Sequence, residues 1–131
     1  MRQALLSTAA FFLFMVAWSG WASEREAFSP ERFSQLQEEE ALVLIDVWAK
    51  WCPTCARQEK ILASYQRDRP ETQLHILVVD FDEQKEWVKH FRAPRQSTFL
   101  LYHGSEQVWF SVAETDSDRI YEQLDAAALR L

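Results

Sequence analysis

Trp51-Cys52-Pro53-Thr54-Cys55 carries both cysteines of the chain, three positions apart, so no thiol is left over for a second disulfide. On a helix that spacing turns both sulfurs to one face, where the pair can cycle between dithiol and disulfide. A cysteine in the first helical turn meets free backbone N–H groups and the positive end of the helix, which favour its thiolate and bring its pKa below the free value of about 8.5. Cys52 is therefore the expected nucleophile, and Cys55 the thiol that attacks a mixed disulfide at Cys52 and releases the substrate reduced. Pro53 suits the first helical position, because its φ is already helical and its missing N–H is not needed there. Thr54 sits between the sulfurs without charge. A cation there would favour the thiolate and make the disulfide a stronger oxidant, so Thr54 leans toward a reductant.

The elements needed to hold this pair are legible around it. Leu42 to Trp48 is an apolar, β-branched run that predicts a buried strand, and Cys52 to Arg67 has a helical pattern. Leu74 to Phe81 predicts a second buried strand, giving a βαβ unit with parallel pairing. Ahead of these, a polar lead ends at Ser29, an N-cap candidate with Pro30 at the first helical position and Phe33 and Leu36 at helical spacing. Glu83 to Phe91 predicts a short helix. Ser97 to Tyr102, a turn at 103–105 and Gln107 to Val112 predict an antiparallel hairpin, and Asp116 to Leu131 a last helix with the stripe Ile120, Leu124, Ala127, Ala128 and Leu131.

From about Phe28 to the C-terminus this order of elements, with the segment VLIDVWAKWCPTC from Val43 to Cys55, resembles the thioredoxin superfamily. The resemblance implies an α/β fold with a central mixed sheet flanked by helices. It implies a catalytic set of Cys52, Cys55 and Asp46, the last falling where the family carries a buried Asp that takes or relays the proton of the resolving cysteine. Burial would raise the pKa of Asp46; the alternative is an edge-strand carboxylate in water. Trp51, Pro53 and Thr54 belong to the active-site motif, and Trp48, Ser97 and Thr98 fall where substrate would dock. The Pro53-Thr54 pair is similar to periplasmic reductases of cytochrome c maturation, but the span between Cys55 and Ser97 has no room for the strand and helix those proteins insert.

Three departures from the family pattern carry expectations. Ser97 stands where thioredoxins place a cis-proline facing the sulfurs, Pro94 being three residues early. A cis bond at Gln96-Ser97 would cost about 2.5–4 kcal/mol, so a trans peptide and a reshaped docking loop are expected. The lysine that often neighbours the buried Asp is replaced within Val78-Val79, which predicts a further rise at Asp46 for want of a cation. No proline interrupts the cysteine helix near Lys60, which predicts a straighter helix.

A chain of 131 residues with 48% hydrophobic content supports one domain with a packed core. Residues 1–22 carry Arg2, an apolar run from Ala4 to Trp18 and small residues at Gly20 and Ala22, the outline of a secretory signal cut after Ala22. The rival is an uncleaved anchor, since the run approaches the length of about 20 residues that spans a bilayer. Either places the domain, residues 23–131, in the periplasm or otherwise outside the cytoplasm, where disulfides persist. The net charge of −6, one unit more acidic without Arg2, makes nucleic acid a poor partner.

The expected activity is reduction of protein disulfides by a monomer, with no cofactor beyond the Cys52–Cys55 disulfide and a membrane electron donor to recharge it. Alternatives are a disulfide-donating oxidase and a binding module for a client thiol or a metal with little turnover. His75, His90 and His103 are scattered singly, so a zinc site built on the cysteines lacks evident further ligands. A small Ser97 beside the sulfurs leaves room for an adventitious metal or iron–sulfur ligand.

Overall fold

The computed structural model describes residues 25–130. The proposed leader lies outside them, and no helix among them is long and apolar enough to cross a membrane. In chain order the elements are β1 (Arg25–Ala27), α1 (Pro30–Glu38), β2 (Leu42–Trp48), α2 (Pro53–Asp68), a 3-10 turn (Pro70–Thr72), β3 (His75–Asp80), α3 (Lys85–His90), β4 (Thr98–His103), β5 (Glu106–Val112) and α4 (Ser117–Ala128). The strands form one mixed sheet in the order β1-β3-β2-β4-β5. β3 runs parallel to both β1 and β2, while β4 is antiparallel to β2 and β5.

Both faces of the central strands are covered, which is why β2 and β3 are apolar almost throughout rather than alternating. Leu42, Leu44, Ile76, Phe99 and Leu101 pack under Leu62 and Tyr65 of α2 and Ile120, Leu124 and Ala127 of α4. Val43, Ile45, Val47, Leu77, Val79 and Leu100 pack on the other face against Phe28, Leu36 of α1, Val88 of α3 and Phe91. β2 is thus clamped from both sides, and its carboxyl end delivers the cysteine loop from a rigid position.

Local chemistry sets the boundaries. Ser29 caps α1, its Oγ accepting from the Arg32 N–H at 3.2 Å, with Pro30 in the first turn. α3 starts two residues later than the Glu83 start expected, because the Asp80 carboxylate holds the N–H groups of Asp82 and Glu83 at 2.9 and 3.0 Å in a side-chain-closed turn. The β4–β5 turn needs Gly104: its φ is +55°, and an added Cβ would stand 3.4 Å from the Glu40 Cα. His103, expected in that turn, is the last residue of β4.

The polar lead is not a lead. Arg25, Glu26 and Ala27 pair with Ile76, Leu77 and Val78 and make the sheet's first edge. Its residues carry no hydrophobic alternation, and its pairing with β3 is made by the backbone, so hydropathy gives it no signal. The 3-10 turn at Pro70–Thr72 is likewise unannounced; it is closed by the Thr72 hydroxyl donating to the Arg69 carbonyl at 2.8 Å.

Candidate functional site

At the end of β2 the chain turns through Ala49, Lys50 and Trp51, with the Cys52 N–H donating to the Ala49 carbonyl at 3.2 Å. Cys52 is the N-cap of α2: its backbone is extended, Pro53 opens the helix, and its Sγ accepts the Cys55 N–H at 3.1 Å. The helix therefore aims a backbone donor at the very sulfur that must carry negative charge, the arrangement that stabilises a thiolate at a helix start. Cys52 and Cys55 are joined as a disulfide with Cα atoms 5.3 Å apart. Both are buried beside Ala49, with Trp48 and Phe81 packed against them. Trp51 is 55% exposed, and its indole N–H donates to an Asp82 Oδ at 2.8 Å, fixing a broad apolar ring beside the pair. Thr54, in the first turn of α2, is half-buried.

Asp46 lies in the middle of β2, opposite Val78 on one side and Phe99 on the other, and is 2% exposed. It shares the sheet face of Leu42 and Leu44, the face that α2 covers. Burial pushes its carboxyl up from the ordinary carboxylate range, against the pull of Arg25. That pull corrects the expectation of a missing cation. Replacing lysine on β3 does not leave Asp46 alone, because Arg25 of β1 reaches over, its guanidinium 2.7 Å from Asp46 Oδ2 and 2.9 Å from Glu59 of α2. Asp46 Oδ1 is buried and has no hydrogen-bond partner among the described residues.

The Gln96–Ser97 peptide is trans, and Ser97 sits in the left-handed region at φ +61°. Its N–H donates to the Val47 carbonyl at 2.7 Å, so the loop is stitched to the end of β2 just before the cysteine turn. Its hydroxyl donates to the Gln96 carbonyl. Its carbonyl takes the Ala113 N–H at 2.9 Å and the side-chain amide of Gln58 at 3.2 Å. Thr98 is buried too, its hydroxyl donating to the Arg95 carbonyl at 2.7 Å. Neither side chain reaches the surface; both shape the loop from behind.

Of the residues singled out from the sequence, Trp48, Trp51, Cys52, Pro53, Thr54 and Cys55 gather at the β2–α2 junction, Asp46 lies one strand pleat below, and Ser97 and Thr98 flank the end of β2. Sequence reasoning missed Arg25, Gln58, Glu59 and Asp82. Gln58 left a faint signal: it stands one turn beyond Cys55 on the buried side of α2, where a polar residue needs partners, and it finds the carbonyls of Ser97 and Glu114. Among the described residues, no group of three or more His, Cys, Asp or Glu side chains is placed to hold a metal ion.

Known proteins share this fold. Trxlp from Edwardsiella tarda is 38% identical and superimposes with a TM-score of 0.68 over 77% of this chain and 98% of its own. A mutant form of thioredoxin from Halobacterium salinarum shares the fold at 19% identity with a TM-score of 0.71, over 82% of this chain and 92% of its own. Thioredoxin from Listeria monocytogenes is 36% identical over 69 residues, 53% of this chain, and the match spans 66% of the Listeria protein. The thioredoxin family profile matches residues 25–126, from β1 into α4. A match of that extent, on a sheet that carries its cysteine pair at the start of α2, makes this chain a member of the thioredoxin family.

Proposed function

We propose that this chain is an extracytoplasmic thiol:disulfide oxidoreductase that works as a reductant of protein disulfides. The observation that carries the reading is Cys52 at the cap of α2, its sulfur held by the Cys55 N–H and already partnered with Cys55 as a disulfide. In the dithiol form the Cys52 thiolate attacks one sulfur of a substrate disulfide, forming a mixed disulfide and expelling the other substrate sulfur as a thiolate. Cys55 then gives its proton to Asp46 and attacks the Cys52 sulfur. The Cys52–Cys55 bond forms, the bond to substrate breaks, and the second substrate sulfur leaves as a thiolate that takes up a proton. Two electrons pass from the Cys52–Cys55 dithiol to the substrate.

The direction rests on uncharged Thr54 between the sulfurs, and the location on the apolar leader with Gly20 and Ala22. A reductant in an oxidising compartment must be recharged, so a membrane electron donor is the implied partner of a monomeric domain. A binding module with little turnover has one observation in its favour: the docking loop is built on Ser97 at positive φ instead of a proline.

Insulin reduction by the domain from Ser23 onward, beside its Cys52→Ser variant, separates the two. Turnover that vanishes in the variant supports the enzyme; a wild-type protein that reduces nothing supports the module. Equilibration with glutathione and dithiothreitol buffers fixes the direction: a potential near −270 mV marks a reductant, and one near −120 mV a disulfide donor. Cell fractionation, with N-terminal sequencing of the recovered protein, tests the location and a mature start at Ser23.

A further inference from the structure

We propose that Arg25, anchored on Glu59, is a positioning residue for the proton step: it grips Oδ2 of Asp46 and leaves Oδ1 as the atom that takes the Cys55 proton. The proposal rests on the exchange chemistry above and adds two residues from outside the cysteine motif. Arg25 comes from the edge strand, Asp46 from the central strand and Glu59 from the cysteine helix, so the three charges tie together the elements on which the site is built. Their side-chain exposure is graded, 2% at Asp46, 22% at Arg25 and 46% at Glu59, leading from the buried acceptor out to solvent.

Among the described residues the charged surroundings of Asp46 are few. β3 and β4 place Val78 and Phe99 opposite it, and the charges that act on it are Arg25 of β1 and Glu59 of α2. Glu26 of β1 is engaged by Arg32 at 3.0 Å. A cation beside the carboxylate favours its charged, proton-accepting form, and an anion sharing that cation weakens the effect. Arg25 and Glu59 therefore act on Asp46 with opposite signs. A purely structural role in holding the sheet to the helix would give both substitutions the same sign.

The test uses the reduced protein and Ellman's disulfide, whose first thionitrobenzoate is expelled by Cys52 and whose second is expelled by Cys55. The pH dependence of the second release is measured with the carbon-13 carboxyl titration of Asp46, in wild type, Arg25→Met, Arg25→Lys and Glu59→Gln. Arg25→Met moves both midpoints to higher pH and slows the second release on the acid side of the midpoint by roughly tenfold per pH unit of displacement. Arg25→Lys restores most of the rate, and Glu59→Gln moves the midpoints to lower pH. On an Asp46→Asn background Arg25→Met produces no further displacement.

Shifts of the same sign, unmoved midpoints, or an Arg25 effect that persists in Asp46→Asn overturn the proposal. Should Arg25→Met fail to fold, the sign of the Glu59→Gln shift decides. Failure of the functional reading shows elsewhere: a protein that releases both thionitrobenzoates yet never reduces insulin is no protein-disulfide reductase, while the charge assignment stands or falls on its own titrations.

Discussion

Asp46 opposes stability in this fold, and replacing it with leucine tests that directly. The carboxyl is 2% exposed between Val78 and Phe99, and burial raises its proton affinity despite Arg25. In the unfolded chain an Asp releases its proton near pH 3.9, so between there and the higher native midpoint the folded protein holds more protons than the unfolded one. Stability must then fall as pH rises through that window. Above it the fold carries a buried carboxylate whose desolvation the single contact to Arg25 does not fully offset, Oδ1 being without a partner among the described residues.

Replacing a buried ion pair by apolar residues is often neutral or stabilising by about 1–4 kcal/mol, whereas removing one partner costs stability when it strands the other charge. The usual penalty, a stranded partner, is avoided here because Arg25 keeps Glu59 at 2.9 Å and is itself 22% exposed. Asp46→Leu should accordingly be more stable at about pH 8 by an amount on the order of 1–4 kcal/mol, raising Tm by several degrees, while losing reductase turnover. Urea unfolding curves at about pH 8 and about pH 4.5 measure it, the gap narrowing at the lower pH as wild-type Asp46 takes up its proton. A variant less stable at the higher pH, or a gap equal at both, refutes the account of Asp46 as a buried group kept for chemistry.

Trp51→Ala leaves stability within about 0.5 kcal/mol, since the ring is mostly exposed, but raises KM for insulin while sparing a small disulfide such as Ellman's reagent; steady-state kinetics on both substrates decide it. Gln58→Leu removes the donors serving the Ser97 and Glu114 carbonyls and costs about 1–3 kcal/mol in urea unfolding, with most of the loss at Glu114 because Ser97 keeps the Ala113 N–H. Ser97→Pro does not mend the docking loop: the ring demands a φ near −65° where the chain has +61°, and it deletes the N–H that Val47 accepts at 2.7 Å. That variant should lose at least about 1 kcal/mol by the same assay, and a more stable or more active protein would count against this loop geometry.

Where an element announces itself by packing, the sequence is a sufficient guide. β2 and β3 are apolar because helices cover both their faces, α1 begins where Ser29 and Pro30 can cap it, and the cysteine helix begins where Pro53 fits. The cysteine pair was legible for the same local reason: spacing and helix start together fix which sulfur meets the backbone N–H. What escaped is held by the backbone or by long-range charge. β1 has no hydrophobic pattern because it is a three-residue edge held by its ladder bonds, and Gln58 and Asp82 declare their partners only once distant segments meet.

The misjudged cation at Asp46 shows why such pairings resist one-dimensional reasoning. Looking only at the residue facing Asp46 on β3, Val78, one concludes that the carboxylate has lost its counter-charge. Yet β1 lies just beyond β3, with Ala27 opposite Val78 and Arg25 opposite Ile76, so Arg25 stands two strands from β2 and one pleat off Asp46. Two strand spacings come to about 10 Å, within the combined reach of an arginine and an aspartate. β3 presents Ile76 opposite Arg25 and Val78 opposite Asp46, so the strand between the two charges places apolar residues opposite both. An apolar Val78 on β3 is therefore no sign that the counter-charge is lost, because β1 supplies it. The residue that completes the site sits in the segment whose sequence offered the least to read.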